Sequence, residues 1–135
     1  MENTILNNYA TFVDGVTSQV SKDDNMFIER IKELSDKGMD VARLTTAGIG
    51  LASEGGEFDE IVKKILFHGK EYSPENIFHM KRELGDIIWY WSNACIALGF
   101  NPNDVIEENV RKLEARYPGG NFSVWHSENR AEGDI

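Results

Sequence analysis

Two pairs of acids carry the most chemistry in this sequence: Glu54 with Glu57, and Glu83 with Asp86. Each pair is spaced i, i+3 within a run of helical periodicity. Residues three apart on a helix are neighbours on one face, with Cβ atoms about 5–6 Å apart, so each pair makes a small anionic patch. If the helices that carry them pack antiparallel, four carboxylates converge, and their repulsion calls for a cation between them. An oxygen-only set with no Cys or His nearby suits a hard ion, Mg²⁺ with Mn²⁺ as a substitute, better than zinc. A second row, Asn109, Lys112 and Arg116, steps by three and four along a later helix. One amide and two cations beside a metal cluster suit a polyphosphate, whose oxygens the cations hold while the metal activates water.

Each feature also has a blander explanation. A single i, i+3 acid pair is usually a solvated helix face, and so is a short cationic row. Two acid pairs flanking aligned apolar seams on consecutive helices favour the metal, with Lys63, Lys64 and Lys81 placed on other faces.

The elements that must position these residues are all helical. A first amphipathic helix is expected over Asn3–Val20, with Ile5, Tyr9, Phe12, Val16 and Val20 at helical spacing and Asn3 or Thr4 as cap. The cluster from Ser21 to Asn25 breaks it. A short helix over Met26–Lys37 follows, stopped by Gly38. Asp40 caps a long helix running to Phe67, whose seam is Leu44, Ala47 or Gly48, Leu51, Gly55, Phe58, Val62 and Ile65. Glycines 48, 50, 55 and 56 cost up to about 1 kcal/mol each against alanine, but the seam passes through them in register. Glu54 and Glu57 lie beside that seam, in a stripe with Ala47, Gly50 and Ile61. Ser73 and Pro74 start the next helix, which ends at Leu98 before Gly99. Its expected seam is Ile77, Met80 or Lys81, Leu84, Ile87 or Ile88, Trp91, Ala94 or Cys95, and Leu98, with Glu83, Asp86, Tyr90 and Asn93 as the polar stripe alongside. A last helix spans Pro102–Arg116 and is expected to bury Val105, Ile106, Val110 and Leu113. Asn121–His126 reads as extended. The expected organisation is a single all-α domain over 1–130, a bundle of four to five helices, with 131–135 a mobile polar tail.

Composition narrows the partners. The 135 residues suit one domain with a real core. A net charge of -9 argues against a nucleic-acid or anionic-membrane partner. No apolar run is long enough to span a bilayer, and no signal peptide is recognisable. The single Cys95 reads as a small core residue and fits a reducing cytoplasm. His68 reads as a helix C-terminal charge, His79 and His126 lack a ligand-spaced partner, and Trp89, Tyr90 and Trp91 read as core. Ser53 and Ser73 lack a triad. Gly48-Ile49-Gly50 lacks the lysine of a phosphate loop.

The stretch Gly50-Leu51-Ala52-Ser53-Glu54-Gly55-Gly56-Glu57 resembles the first acidic motif, E-x-x-E, of the MazG-like all-α nucleoside triphosphate pyrophosphohydrolases. Val62-Lys63-Lys64 and His68-Gly69 continue the likeness. Glu83-Leu84-Gly85-Asp86 resembles the second motif, E-x-x-D, with Trp89-Tyr90 after it. Asn109, Lys112-Leu113, Arg116-Tyr117-Pro118 and Phe122 are similar to the third helix and its exit, and Ser127-Glu128-Asn129-Arg130 to a polar tail of some members. The resemblance covers roughly the last two thirds of the chain. It implies Mg²⁺-dependent cleavage of a nucleoside triphosphate to monophosphate and pyrophosphate, and a bundle completed by a homodimer or homotetramer. It implies that Glu54, Glu57, Glu83 and Asp86 bind the metal, and that one of the glutamates helps a water attack the α-phosphorus. Lys112, Arg116 and Asn109 would bind phosphate or sugar, and Arg130 would close over the triphosphate. The chain departs from the E-E-x-x-E form of the motif, with Ser53 where the first glutamate stands. Residues 1 to about 50 match nothing in the family.

Three rivals make different predictions. A dimeric deoxyuridine triphosphatase of the same architecture differs only in substrate. A di-iron bundle usually pairs Glu with His at i+3, where this chain has Glu57 and Asp86. A non-catalytic helical oligomerisation module predicts no response to Mg²⁺.

Overall fold

The computed structural model describes residues 4–130. The expected cap at Asn3 and the expected tail 131–135 lie outside the described residues. The chain divides into two compact units, Met1–Val41 and Ala42–Ile135. Among the described residues there are helices and no strand, so the all-α class holds.

The first unit contains α1 (Thr4–Val16), a 3-10 turn (Gln19–Ser21) and α2 (Asp24–Asp36). Helix α1 stops short of the expected Val20. Ser18 turns extended, at φ -61 and ψ 147, and Lys22 Nζ donates to the Asp14 carbonyl at 2.7 Å. That satisfies one of the carbonyls a helix end leaves without a partner. Asp23 then caps α2, its carboxylate accepting from the N–H groups of Asn25 and Met26 at 2.9 and 3.0 Å. Gly38, at φ 93, carries the chain out of α2, as its position predicts. The apolar stripe of α1 (Ile5, Tyr9, Phe12 and Val16) is exposed.

The second unit holds α3 (Val41–Phe67), whose first residue closes the preceding unit, then α4 (Pro74–Leu98), α5 (Pro102–Arg116) and α6 (Val124–Glu128). Helix α3 runs unbroken through its glycines, as the periodicity predicts. Gly50 has a packing reason to be glycine. A Cβ there would lie 2.1 Å from Tyr90 Cδ1, so the bare backbone lets the Tyr90 ring lie directly against α3. Arg43 Nη1 donates to Asn93 Oδ1 at 3.1 Å. Reading from Arg43 to Gly50 up α3 therefore goes from Asn93 to Tyr90 down α4, so the two helices are antiparallel.

Helix α4 starts as predicted: Ser73 Oγ accepts from the Asn76 N–H, with Pro74 at the first helical position. It ends at Gly99, in the left-handed region at φ 70, where the Phe100 N–H returns to the Cys95 carbonyl at 2.9 Å. Asn101 caps α5. The expected extended stretch 121–126 is instead the lead into a helix. Ser123 Oγ accepts from the His126 N–H and starts α6, and the Tyr117 ring lies against Phe122 and edge-on to His126, at 5.8 and 6.5 Å between centroids.

The face that α4 buries is only partly the expected one: Cys95 is buried and Met80, Ile87, Trp91 and Ala94 are partly covered. Glu83 is 5% exposed, while Leu84 is 50% and Ile88 59% exposed. Ile77 and Leu98 of the expected seam are also exposed, and so are Ile106, Val110 and Leu113 on α5. The buried residues of α3 are Ala47, Gly50 and Ile61, the stripe that contains Glu54. The helices close where Gly50 admits the Tyr90 ring, which draws Glu83 inward, while the expected α3 seam of Leu44, Leu51, Gly55, Phe58, Val62 and Ile65 stays partly covered. Cys95 is buried, as predicted, whereas Trp89 is exposed and only Tyr90 and Trp91 are partly covered.

Candidate metal centre

From Gly50, one further turn of α3 reaches Glu54. From Tyr90, two turns back along α4 reach Glu83. The antiparallel pairing therefore brings the two acidic stretches together. One carboxylate oxygen from each of Glu54, Glu57 and Glu83 lies within 4.8 Å of the other two. Glu83 is buried, Glu54 half-buried and Glu57 exposed, so the group descends from solvent into the α3–α4 interface.

The electrostatics are those of crowded anions. Burial raises the Glu54 carboxyl above the ordinary carboxylate range. The charges of Glu57, Asp86 and Glu83 push it the same way, and a hydrogen bond shared with Glu83 adds to the effect. Asp86 is exposed and stands outside the tight group of three, but its charge reaches Glu54. Lys63 and Lys64 face Glu60, at 4.0 and 3.2 Å.

The donor set fits a hard divalent cation. It is all oxygen, and its members repel, which raises the proton affinity of Glu54. Mg²⁺ holds its oxygens at 2.0–2.1 Å, so oxygens across the ion are about 4.2 Å apart.

One neighbour was missed in the sequence. His79 Nε2 lies 2.9 Å from Glu83 Oε1. The expectations that no His stands near the acids and that His79 has no spaced partner are therefore wrong. The signal was present: residues 79 and 83 are i, i+4 on one helix, which places their side chains together.

The candidate substrate residues lie on or beyond α5. Asn109 lines a cavity of about 500 Å³ together with Leu51, Ile87, Ile88, Trp91, Val105 and Ile106. This cavity is lined from α3, α4 and α5. Lys112 is exposed and Arg116 half-buried further along α5, and Arg130 is exposed just past α6.

Residues 44–120 match the family model of the MazG nucleotide pyrophosphohydrolase domain. The chain belongs to this family. The MazG match spans more than half of the chain, includes both acid pairs and lies wholly within the Ala42–Ile135 unit. The gene 37 protein of Mycobacterium phage L5 is 34% identical over 79 residues, which cover 57% of this MazG chain and 68% of the phage protein. No solved structure gives a significant match. Among the described residues, no helix is long and apolar enough to cross a membrane.

Proposed function

We propose that this protein hydrolyses a nucleoside or deoxynucleoside triphosphate to the monophosphate and pyrophosphate, with Mg²⁺ held by Glu54, Glu57, Glu83 and Asp86. The observation that carries this reading is the meeting of Glu54, Glu57 and Glu83 across two helices, oxygens within 4.8 Å, in a chain of the MazG family. Solvated surface acids have no reason to converge on a half-buried spot where their charges repel.

A bound Mg²⁺ supplies the positive charge that acidifies a water and neutralises the phosphate oxygens. Glu54 has the raised proton affinity that suits a base for that water. In the reaction, the water oxygen bonds to the α-phosphorus and a carboxylate oxygen of Glu54 takes its proton. The bond from that phosphorus to the α,β-bridging oxygen breaks, and pyrophosphate leaves. Glu57, the exposed member, faces the side from which substrate enters. Asn109 orients the nucleotide from the α3–α4–α5 cavity, Lys112 and Arg116 neutralise phosphate charge, and Arg130 closes over the triphosphate. The outward apolar residues Leu84, Ile88 and Leu98 support a homodimer or homotetramer. The single buried Cys95 suits a cytoplasmic protein.

The reading is tested by pyrophosphate release from a panel of NTPs and dNTPs with Mg²⁺. Release that is lost in Glu57→Gln and Asp86→Asn supports it. Intact nucleotides after long incubation with folded protein refute it.

A further inference from the structure

We propose that His79 is a positioning residue of the metal centre: its ring N–H holds the Glu83 carboxylate in the orientation that meets Glu54 and Glu57. The inference rests on the metal-site reading above and extends it to a residue outside the acidic motifs.

The geometry is direct. His79 Nε2 lies 2.9 Å from Glu83 Oε1. An ionised carboxylate only accepts hydrogen bonds, so the ring nitrogen donates. Glu83 is 5% exposed and has lost most of its water, and a buried carboxylate is costly unless donors replace that water. His79 supplies such a donor from one turn earlier on α4. Glu83 also shares a hydrogen bond with Glu54. The carboxylate is thus held from both sides, by its own helix and by α3. With Nε2 engaged on Glu83, the imidazole acts through the carboxylate and not on the ion. Carboxylates that bind metals are commonly oriented by such outer hydrogen bonds.

The location of His79 separates this role from a purely structural one. Its side chain is 51% exposed, and it stands apart from the buried Ala47, Ile61 and Cys95. Removing it loosens Glu83 without opening the core. A long, flexible glutamate freed of its donor samples orientations that no longer meet Glu54 and Glu57, so the metal binds more weakly while the fold persists.

The test is Mn²⁺ binding to the full chain, followed by electron paramagnetic resonance, for wild type, His79→Ala, His79→Gln and a Glu57→Gln control. His79→Ala is expected to bind Mn²⁺ about tenfold more weakly than wild type, the usual scale for losing an outer hydrogen bond. Glutamine, whose amide N–H reaches a similar point, is expected to restore most of the loss. Metal-free melting of the His79 variants is expected to match wild type. Should His79→Ala melt early, His79→Leu, which refills the volume without a donor, replaces it in the comparison. His79→Ala binding as tightly as wild type or more tightly, or His79→Gln binding as weakly as the variant without a donor, overturns the role of His79 and leaves the metal site standing. Wild type that binds no Mn²⁺, or binds it no better than Glu57→Gln, overturns the metal site itself and this inference with it.

Discussion

The Tyr90 ring lies so close to Gly50 that an added Cβ would be 2.1 Å from its Cδ1. That contact sets how near α3 and α4 come, and one turn further along α3 the same spacing brings Glu54 to Glu83.

Gly50→Val is therefore expected to destabilise the protein by about 1–3 kcal/mol through overpacking, read as a lower melting temperature. Mg²⁺ affinity should fall with it, because the helices must separate. Truncating the ring in Gly50→Ala/Tyr90→Ala should recover part of the affinity that Gly50→Ala alone loses. A Gly50→Val protein with wild-type stability and metal affinity would show that this contact does not hold the site together.

Much of this arrangement was legible in the sequence, and the parts that were not have physical reasons. Helix limits near Ser73, Gly99 and Asn101 follow from local capping chemistry, which acts within a few residues. The continuity of α3 through four glycines follows from periodicity. Which face of α4 turns inward does not, because it depends on what α3 presents. The bare backbone at Gly50 draws in Tyr90, and Glu83 is buried on the same helix while Leu84 and Ile88 are exposed. The approach of Glu54, Glu57 and Glu83 is readable from spacing, whereas Asp86, expected with them, stands outside the group. The contact of His79 with Glu83 is also legible, because residues 79 and 83 are i, i+4 on one helix. The 3-10 turn after Val16 depends on Lys22 reaching back to the Asp14 carbonyl, which no periodicity records.

Glu54 makes stability depend on pH in a definite direction. It holds its proton more tightly when folded, so the folded state binds more protons between the ordinary carboxylate pKa and the raised value. Its stabilising contribution is full at acidic pH below the unfolded value and is lost as pH rises through the raised folded value. Glu33, held low by Lys37 and Arg30, and Glu60, held low by Lys64, act in the opposite sense, and their contributions are lost as pH falls. Comparison with Glu54→Gln isolates the first effect. In EDTA, the melting temperature of wild type relative to Glu54→Gln is expected to drop as pH rises through the acidic range. A difference that stays flat with pH would contradict the crowding of charge at Glu54.

A cation that binds only the folded protein raises its stability. Wild type at a Mg²⁺ concentration about 100 times the dissociation constant is expected to gain about 2.7 kcal/mol, seen as a higher melting temperature. Glu54→Gln and Glu83→Gln should start from melting temperatures at or above wild type in EDTA, because repulsion is relieved, and should gain little from Mg²⁺. Equal Mg²⁺ responses in wild type and both variants would place the binding elsewhere.

Glu54 and Glu57 differ in depth, and their substitutions should differ in kind. Glu54→Gln removes the proposed base and is expected to lower kcat about 10²–10⁴-fold, the usual range for general-base loss. Glu57→Gln, at the exposed rim, should show its loss partly as a raised Mg²⁺ requirement that excess metal offsets. Titrating Mg²⁺ at saturating nucleotide separates the two. Full recovery of Glu54→Gln by excess Mg²⁺ would remove Glu54 from the role of base.

The most direct test of the whole account is hydrolysis of the preferred nucleoside triphosphate in ¹⁸O-labelled water with Mg²⁺, with the products weighed by mass spectrometry. Attack at the α-phosphorus predicts nucleoside monophosphate carrying one ¹⁸O and unlabelled pyrophosphate. Label in the pyrophosphate, release of diphosphate nucleoside with free phosphate, or unreacted triphosphate throughout the panel would contradict it.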